Sequence, residues 1–397
     1  MSEKKKVLII VENLPVPFDR RVWQEALALK KAGYCVSIIA PKKDEYNKSY
    51  EELEKIHIYR HPLPFEGSGW KGYLCEYSIA LFYEFVLSFR VLRERGFDVI
   101  QACNPPDNIF IIGLFYKIFF NKKFVFDHHD INPELYQAKF NKKDLLYKIL
   151  LFLERLTFKV ADVSIATNNS YKYIAVQRGK MPKEKVHIVR SGPSLERVKM
   201  VPQNERWKKG RKFLIGYVGV MGKQEGLDHL LEVMTILINK KKREDVQLIC
   251  VGGGTELNNL KDLAENMNIE EYVTFTGRIP DKVLLEILCT ADICVNPDVA
   301  NEMNDKSTMN KIMEYMALGK PIVQYELSEG KFSAQDASLY AKANDREDFA
   351  EKIDYLLNNP ELRKRMGVVG YERVYNELHW GKEEPKYLAV YKEVFNT

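Results

Sequence analysis

Short, unbroken apolar runs alternate with segments of helical periodicity along almost the whole chain. Val7, Leu8, Ile9, Ile10 and Val11 form the first run, the pattern of a parallel strand buried on both faces. Further strands are predicted over 36–40, 56–59, 99–102, 124–126, 163–166 and 186–189, with helices over 21–32, 77–95, 108–120, 145–159 and 170–178. Such alternation implies a doubly wound α/β domain. The stretch 196–212 breaks the rhythm, being polar, holding Pro202 and a Lys-Lys-Gly-Arg-Lys run, and offering little to bury; it reads as a linker. The alternation then restarts. Strands are predicted over 213–218, 246–251, 273–276, 293–295 and 322–325, and helices over 226–239, 256–266 and 282–289, followed by a helical region over 346–378. After Trp380 and Gly381, residues 383–395 predict a last helix that crosses back to the first domain. The expected organisation is therefore a first Rossmann-like domain (1–195), the linker (196–212), a second Rossmann-like domain (213–380) and a returning helix (381–397). Open α/β sheets bind ligands beyond the carboxyl ends of their strands. Two such domains facing across a cleft are the expected place for a nucleotide-bearing substrate.

Composition narrows the class. A chain of 397 residues is too long for one ordinary domain, and its 46% apolar content is ample for two cores. Cysteines 35, 75, 103, 250, 289 and 294 form no CxxC pair, and several lie in apolar runs, so they read as reduced core residues of a cytoplasmic protein. The apolar stretch after Lys4–Lys6 is too short for a signal peptide, and no run reaches the length of a membrane span. A net charge of +5 is mild, and there is no aromatic-studded basic array, so nucleic acid is not an expected partner. The segments 77–95, 110–123 and 145–159 are strongly apolar with lysines and arginines at their edges. They suit core helices or a face that rests on an anionic membrane.

The densest chemistry lies in 304–325. Ser307 and Thr308 are good helix N-caps, Ile312, Met313, Met316 and Ala317 give an apolar face, and Gly319 and Pro321 stop the helix before a strand. Glu314 is a carboxylate among these apolar positions. The amino end of such a helix suits phosphate, because free amides and the helix dipole point at the anion. The alternative, by itself less favoured, is that Glu314 is a solvated helix residue. Other predicted strand ends carry related groups: Gly219, Gly222 and Lys223 in a glycine-rich strand–loop–helix, a second glycine turn over 252–255, and Gly277 with Arg278 in a tight turn suited to a base edge. Each signal alone is weak. Together they supply glycine, hydroxyl and charge from four strand ends of one sheet, and a carboxylate suits a ribose diol. In the first domain, Asp127, His128, His129 and Asp130 follow the strand 124–126. Histidine beside aspartate does acid–base work or orients a hydroxyl; without further His or Cys at ligand spacing no metal is expected, and one of the two histidines is expected to be structural.

With these residues in place, the chain resembles the family 4 glycosyltransferases of the GT-B fold, which are retaining and use sugar nucleotides. The resemblance rests on the run Phe-Asp-Arg-Arg-Val-Trp-Gln-Glu-Ala from residue 18, the His-Asp pair at 129–130, Phe275-Thr276-Gly277, and Glu314 followed by Met-Ala-Leu-Gly-Lys-Pro-Ile-Val. It implies that Glu314 holds the nucleotide ribose, that amides around Ser307, Thr308 and Met309 contact the diphosphate or sugar, and that Gly277 and Arg278 line the base pocket. It places His129 near the transferred sugar and the acceptor on the first domain, with no cofactor and no metal. Three positions depart from the family pattern. Lys306, beside Asp305, stands where a second glutamate is usual; Val220 and Glu225 replace the arginine and lysine of the diphosphate loop; Asp19-Arg20-Arg21 stands near a missing glycine pair. The expectation is that the charges are redistributed, with Lys223 and one of Lys306 or Lys311 serving the phosphates and Asp305 bonding sugar hydroxyls. The expected acceptor is a lipid-linked or surface-polysaccharide intermediate at the cytoplasmic membrane face. The rival readings are a sugar-nucleotide 2-epimerase on the same fold and a non-catalytic sugar-nucleotide-binding scaffold.

Overall fold

The computed structural model describes residues 4–43, 45–63 and 69–396. The chain divides into two compact units, Met1–Arg190 together with Glu383–Thr397, and Ser191–Lys382.

The first unit is built on β1 (Lys6–Val11), β2 (Cys35–Pro41), β3 (Tyr50–Leu53), β4 (Ile56–His61), β5 (Val99–Cys103), β6 (Lys123–His128), β7 (Val163–Ala166) and β8 (Val186–Ile188). Their order is β3-β4-β2-β1-β5-β6-β7-β8, and every pairing is parallel except β3 with β4. Val7 to Val11 are buried, as strands covered on both faces must be. The apolar runs thus became the strands they predict. β3 carries no such run, because Tyr50, Glu51, Glu52 and Leu53 lie on an edge that stays partly solvated. The helix Asn132–Phe140, started by Pro133, and the long helix Gly69–Glu94 also exceed the sequence expectation.

The second unit contains β9 (Phe213–Val218), β10 (Val246–Val251), β11 (Val273–Gly277), β12 (Ile293–Asn296), β13 (Ile322–Tyr325) and β14 (Ser338–Ala341). The all-parallel order is β11-β10-β9-β12-β13-β14. The reversal of direction beside β9 puts the carboxyl ends of β9 and β12 at a topological switch point.

Two expectations need correction. The stretch 196–212 is not a free linker: it lies within the second unit and is anchored on the helix Asp281–Thr290. Val198 joins that core, Trp207 Nε1 donates to Glu286 Oε1 at 2.6 Å, and Asn204 N donates to Thr290 Oγ1 at 2.9 Å. Its anchors are mostly polar side chains, so hydrophobic patterning is blind to them. Nor do Ser307 and Thr308 cap a helix. Residues Glu302–Lys306 form a short helix of their own, Ser307 stands at its carboxyl end with Oγ bonded to Met303 O, and the next helix, Asn310–Ala317, starts after Met309 without a side-chain cap.

The final helix, Trp380–Asn396, brings Glu383–Thr397 into the first unit. There Glu383 accepts from Arg190 N at 3.0 Å, and Tyr387 and Tyr391 are fully buried.

Candidate functional site

In the second unit the glycine turns after β9 and β10 touch. Gly252 has φ +132°, and a Cβ there would lie 1.9 Å from Gly219 O. No other residue fits. Gly219 N donates to Val251 O, Met221 N to Gly253 O, and Gly252 N to Gly277 O, each at 3.0 Å. The ends of β9, β10 and β11 are therefore knitted through backbone alone, which leaves room for a ligand to approach the main chain closely. Gly226, with φ +65°, opens the helix Leu227–Asn239, whose first turn has no side-chain cap. Lys223 is exposed in the turn just before it, and Arg278 is exposed with its stem over Gly253.

The helix Asn310–Ala317 docks under this loop. Tyr315 OH accepts from Val218 N at 2.9 Å and donates to Val295 O at 3.3 Å, tying β9 to β12. Lys311 Nζ lies 3.4 Å from where a Cβ on Gly219 would stand. Glu314, one turn further on, is mostly buried and ion-paired with Arg197 Nη2, while Arg197 Nη1 lies 3.3 Å from Asp281 Oδ2. Arg197 was not anticipated. It sits in the stretch read as a linker, where no local pattern marks it.

The sequence-predicted cations and acids around Glu314 separate into distinct roles. Lys311 is buried between Asp298 (2.8 Å) and Glu225 (2.9 Å). Burial alone would lower its pKa, but the two carboxylates outweigh burial and hold it raised. Asp298, pushed up to about 7 chiefly by burial, is its closer partner. So Glu225, where the family pattern has a cation, faces a cation supplied from the neighbouring helix. Lys306 pairs with Glu302 at 2.6 Å. Asp305 accepts from Ser328 N at 2.7 Å and from Ser328 Oγ at 3.1 Å, fixing the start of the helix Ser328–Ala334. The expectation that Asp305 bonds sugar hydroxyls meets a carboxylate with both oxygens already engaged. Lys223 is the exposed cation of this loop.

In the first unit, β6 delivers Asp127, His128 and His129 to its carboxyl end. Asp127 is buried and joined to Arg21 Nη2 at 2.8 Å and to His129 Nε2 at 2.7 Å. A proton on His129 Nε2 satisfies the shorter contact and leaves Nδ1 as the acceptor of the neutral ring. Arg21, placed by the Asp19 cap of the helix Arg20–Lys31, also reaches Glu25 (3.1 Å) and Val189 O (3.0 Å). Within Asp19–Arg21, Arg20 is exposed, whereas Arg21 is the centre of a buried network. Gln101 Nε2 donates to Glu25 (2.7 Å) and Asp127 (3.0 Å), and its Oε1 accepts from Tyr387 (2.7 Å) and Tyr391 (2.5 Å). Asn104 Oδ1 accepts from His129 N and Asp130 N, which sets the loop. The Asp130 carboxyl, raised by burial, stands beside His129. His128 is fully buried against Phe158 and Tyr171, and burial lowers its pKa to about 3, so it is the structural histidine. Cys103, Asp127 and His129 converge within 4.8 Å. Arg21, bonded to Asp127 and within 3.0 Å of His129 Nε2, already supplies the positive charge there.

Known proteins match at both levels. The profile described as Glycosyltransferase Family 4 matches residues 19–197, and that described as Glycosyl transferases group 1 matches 212–359. An uncharacterized glycosyltransferase of Methanocaldococcus jannaschii is 23% identical over 373 residues, covering 92% of this chain and 91% of its own. The sucrose-phosphate synthase of Thermosynechococcus elongatus superposes with a TM-score of 0.83 at 18% identity, covering 99% of this chain and 100% of that one. Anabaena HepE, solved in complex with UDP-glucose, gives 0.74 at 13% identity, covering 98% and 99% of the two chains.

Proposed function

We propose that this chain, which belongs to the family 4 glycosyltransferases of the GT-B fold, transfers a glycosyl group from a nucleoside-diphosphate sugar to an acceptor hydroxyl with retention of configuration. The observation that carries the donor assignment is Glu314, set on a helix docked under the knitted turns of Gly219 and Gly252. In this reading Glu314 accepts from the ribose diol, and the amides of Gly219–Gly222 and Ser307–Met309 face the diphosphate. Lys223 adds a charge, and Gly277 and Arg278 flank the base. Departure of the diphosphate needs its negative charge stabilised, which fixed amides and a helix amino end do without reorganising. Lys311 is neutralised by its carboxylates, so its part is to hold the loop. His129, oriented by Asp127 and Arg21, and Asp130 serve the sugar and acceptor side. UDP-glucose in a relative of the same fold supports a nucleotide-sugar donor.

The acceptor we propose is lipid-linked and met at an anionic membrane surface. Among the described residues no helix is long and apolar enough to cross a membrane. However, Phe82, Val86 and Phe89 on one helix, and Ile118 and Phe119 on the next, are exposed, and Arg90, Arg93 and Lys122 follow them closely in the chain.

The donor assignment is tested by calorimetric titration of UDP, GDP and dTDP. One of them is expected to bind, and Glu314→Ala to weaken it by about tenfold or more, the loss of a charged hydrogen-bond acceptor. Unchanged affinity in a folded variant sinks the role of Glu314.

A further inference from the structure

We propose that the first unit carries a binding site for the phosphate headgroup of an anionic phospholipid, at the amino-terminal edge of β7 and β8. The proposal rests on the membrane contact inferred above and goes beyond it by naming a pocket. A cavity of about 570 Å³ lies between the second half of the helix Leu145–Val160 and the segment 179–185 that leads into β8. Four cations line it, Arg155, Lys159, Lys180 and Lys185, and no acidic side chain does. None of the four makes an ion pair or side-chain hydrogen bond among the described residues. Like charges gathered without counter-ions raise a local positive potential, which an anion seated among them relieves.

The rest of the lining is largely apolar, including Phe152, Leu156 and Met181. A phosphate carrying acyl chains satisfies both halves, with cations for the head and apolar floor for the first methylenes. From Phe152 the apolar surface continues along the helix through Ile149 and Leu145, which are exposed by 60%, 42% and 73% in that order. Their spacing of four and three residues puts them on one face. That continuity favours a lipid of a bilayer over a soluble phosphate or an acidic peptide. The site is also separate from the chemistry. Its residues precede β7 and β8, whereas His129 follows β6, and in a parallel sheet these lie at opposite edges.

The test is flotation of the full chain with vesicles of phosphatidylcholine, with and without phosphatidylglycerol. Binding is expected only with phosphatidylglycerol, weakening as salt rises. Lys159→Glu with Lys180→Glu should weaken it by at least about tenfold, since each surface cation is worth about fivefold. The control pair Lys242→Glu with Lys261→Glu, exposed on the second unit, makes the same charge change and should leave binding within about twofold. Equal losses from both pairs would mean diffuse charge and overturn the pocket while leaving the membrane contact intact. Equal binding to neutral vesicles, or displacement by soluble glycerol phosphate, would overturn the lipid assignment. A wild-type protein that floats with neither vesicle would overturn both proposals.

Discussion

Asp127 and Glu314 are both mostly buried carboxylates held by arginine, yet their surroundings give them different work. Burial alone would raise the Asp127 pKa, but Arg21 and His129 outweigh it and hold that carboxyl well below its usual range. A depressed folded pKa means that its stabilisation is complete above the unfolded value near 4 and is lost progressively as pH falls from there through the lower folded value. His128 acts in the same direction at higher pH. Burial lowers it to about 3, so below about pH 6.5 the unfolded chain takes up a proton that the folded chain refuses. The stabilising contribution of these two groups is therefore expected to decline from about pH 6.5 downward and more steeply below about pH 4, while carboxyls that burial raises, Asp298 among them, act the other way. Asp127→Asn should lower Tm at neutral pH, with the gap to wild type narrowing in acid. Melting curves across the range would show it, and a constant gap would contradict the account. Glu314 and His129 stand out in the sequence as candidates because charged residues at strand ends and on a patterned helix are conspicuous. The buried pairings of Arg21 and Arg197 left no mark in the sequence, since their partners lie 106 and 117 residues away in the chain.

At the scale of elements, the buried strands were readable because a strand covered on both faces needs an unbroken apolar run. β3 and the helix Glu302–Lys306 were not, because an edge strand and a one-turn helix bury too little to leave a pattern. The glycine turns were readable as turns, whereas their mutual contact was not. Gly252→Ala would force a Cβ into Gly219 O at a left-handed φ, so the turn must open. It should cost about 3 kcal/mol or more and abolish nucleotide binding. Wild-type binding by that variant would deny the loop its place in the site. The returning helix makes a further prediction. Gln101→Leu removes the amide that accepts from Tyr387 and Tyr391 and donates to Glu25 Oε2, all of them buried. A loss of about 2–4 kcal/mol in urea unfolding is expected; a loss within experimental scatter would mean that the network relaxes freely.

For the molecule as a whole, the family and the two-domain α/β fold were legible from alternation plus a few motifs, while the charges around the donor loop were legible only as departures. The structure gives one departure a physical account. Glu225 is matched by Lys311 from the helix beneath, so the loop keeps a paired cation while Lys223 carries the exposed one. The central claim is transfer of a glycosyl group from a nucleotide sugar. It is tested most directly by following a panel of UDP-, GDP- and dTDP-sugars by proton NMR with a lipid extract as acceptor. The account predicts that one donor releases its nucleoside diphosphate only when acceptor is present, and that the new glycosidic bond keeps the donor's anomeric configuration. An epimerised sugar formed without acceptor, or an inverted linkage, would contradict it.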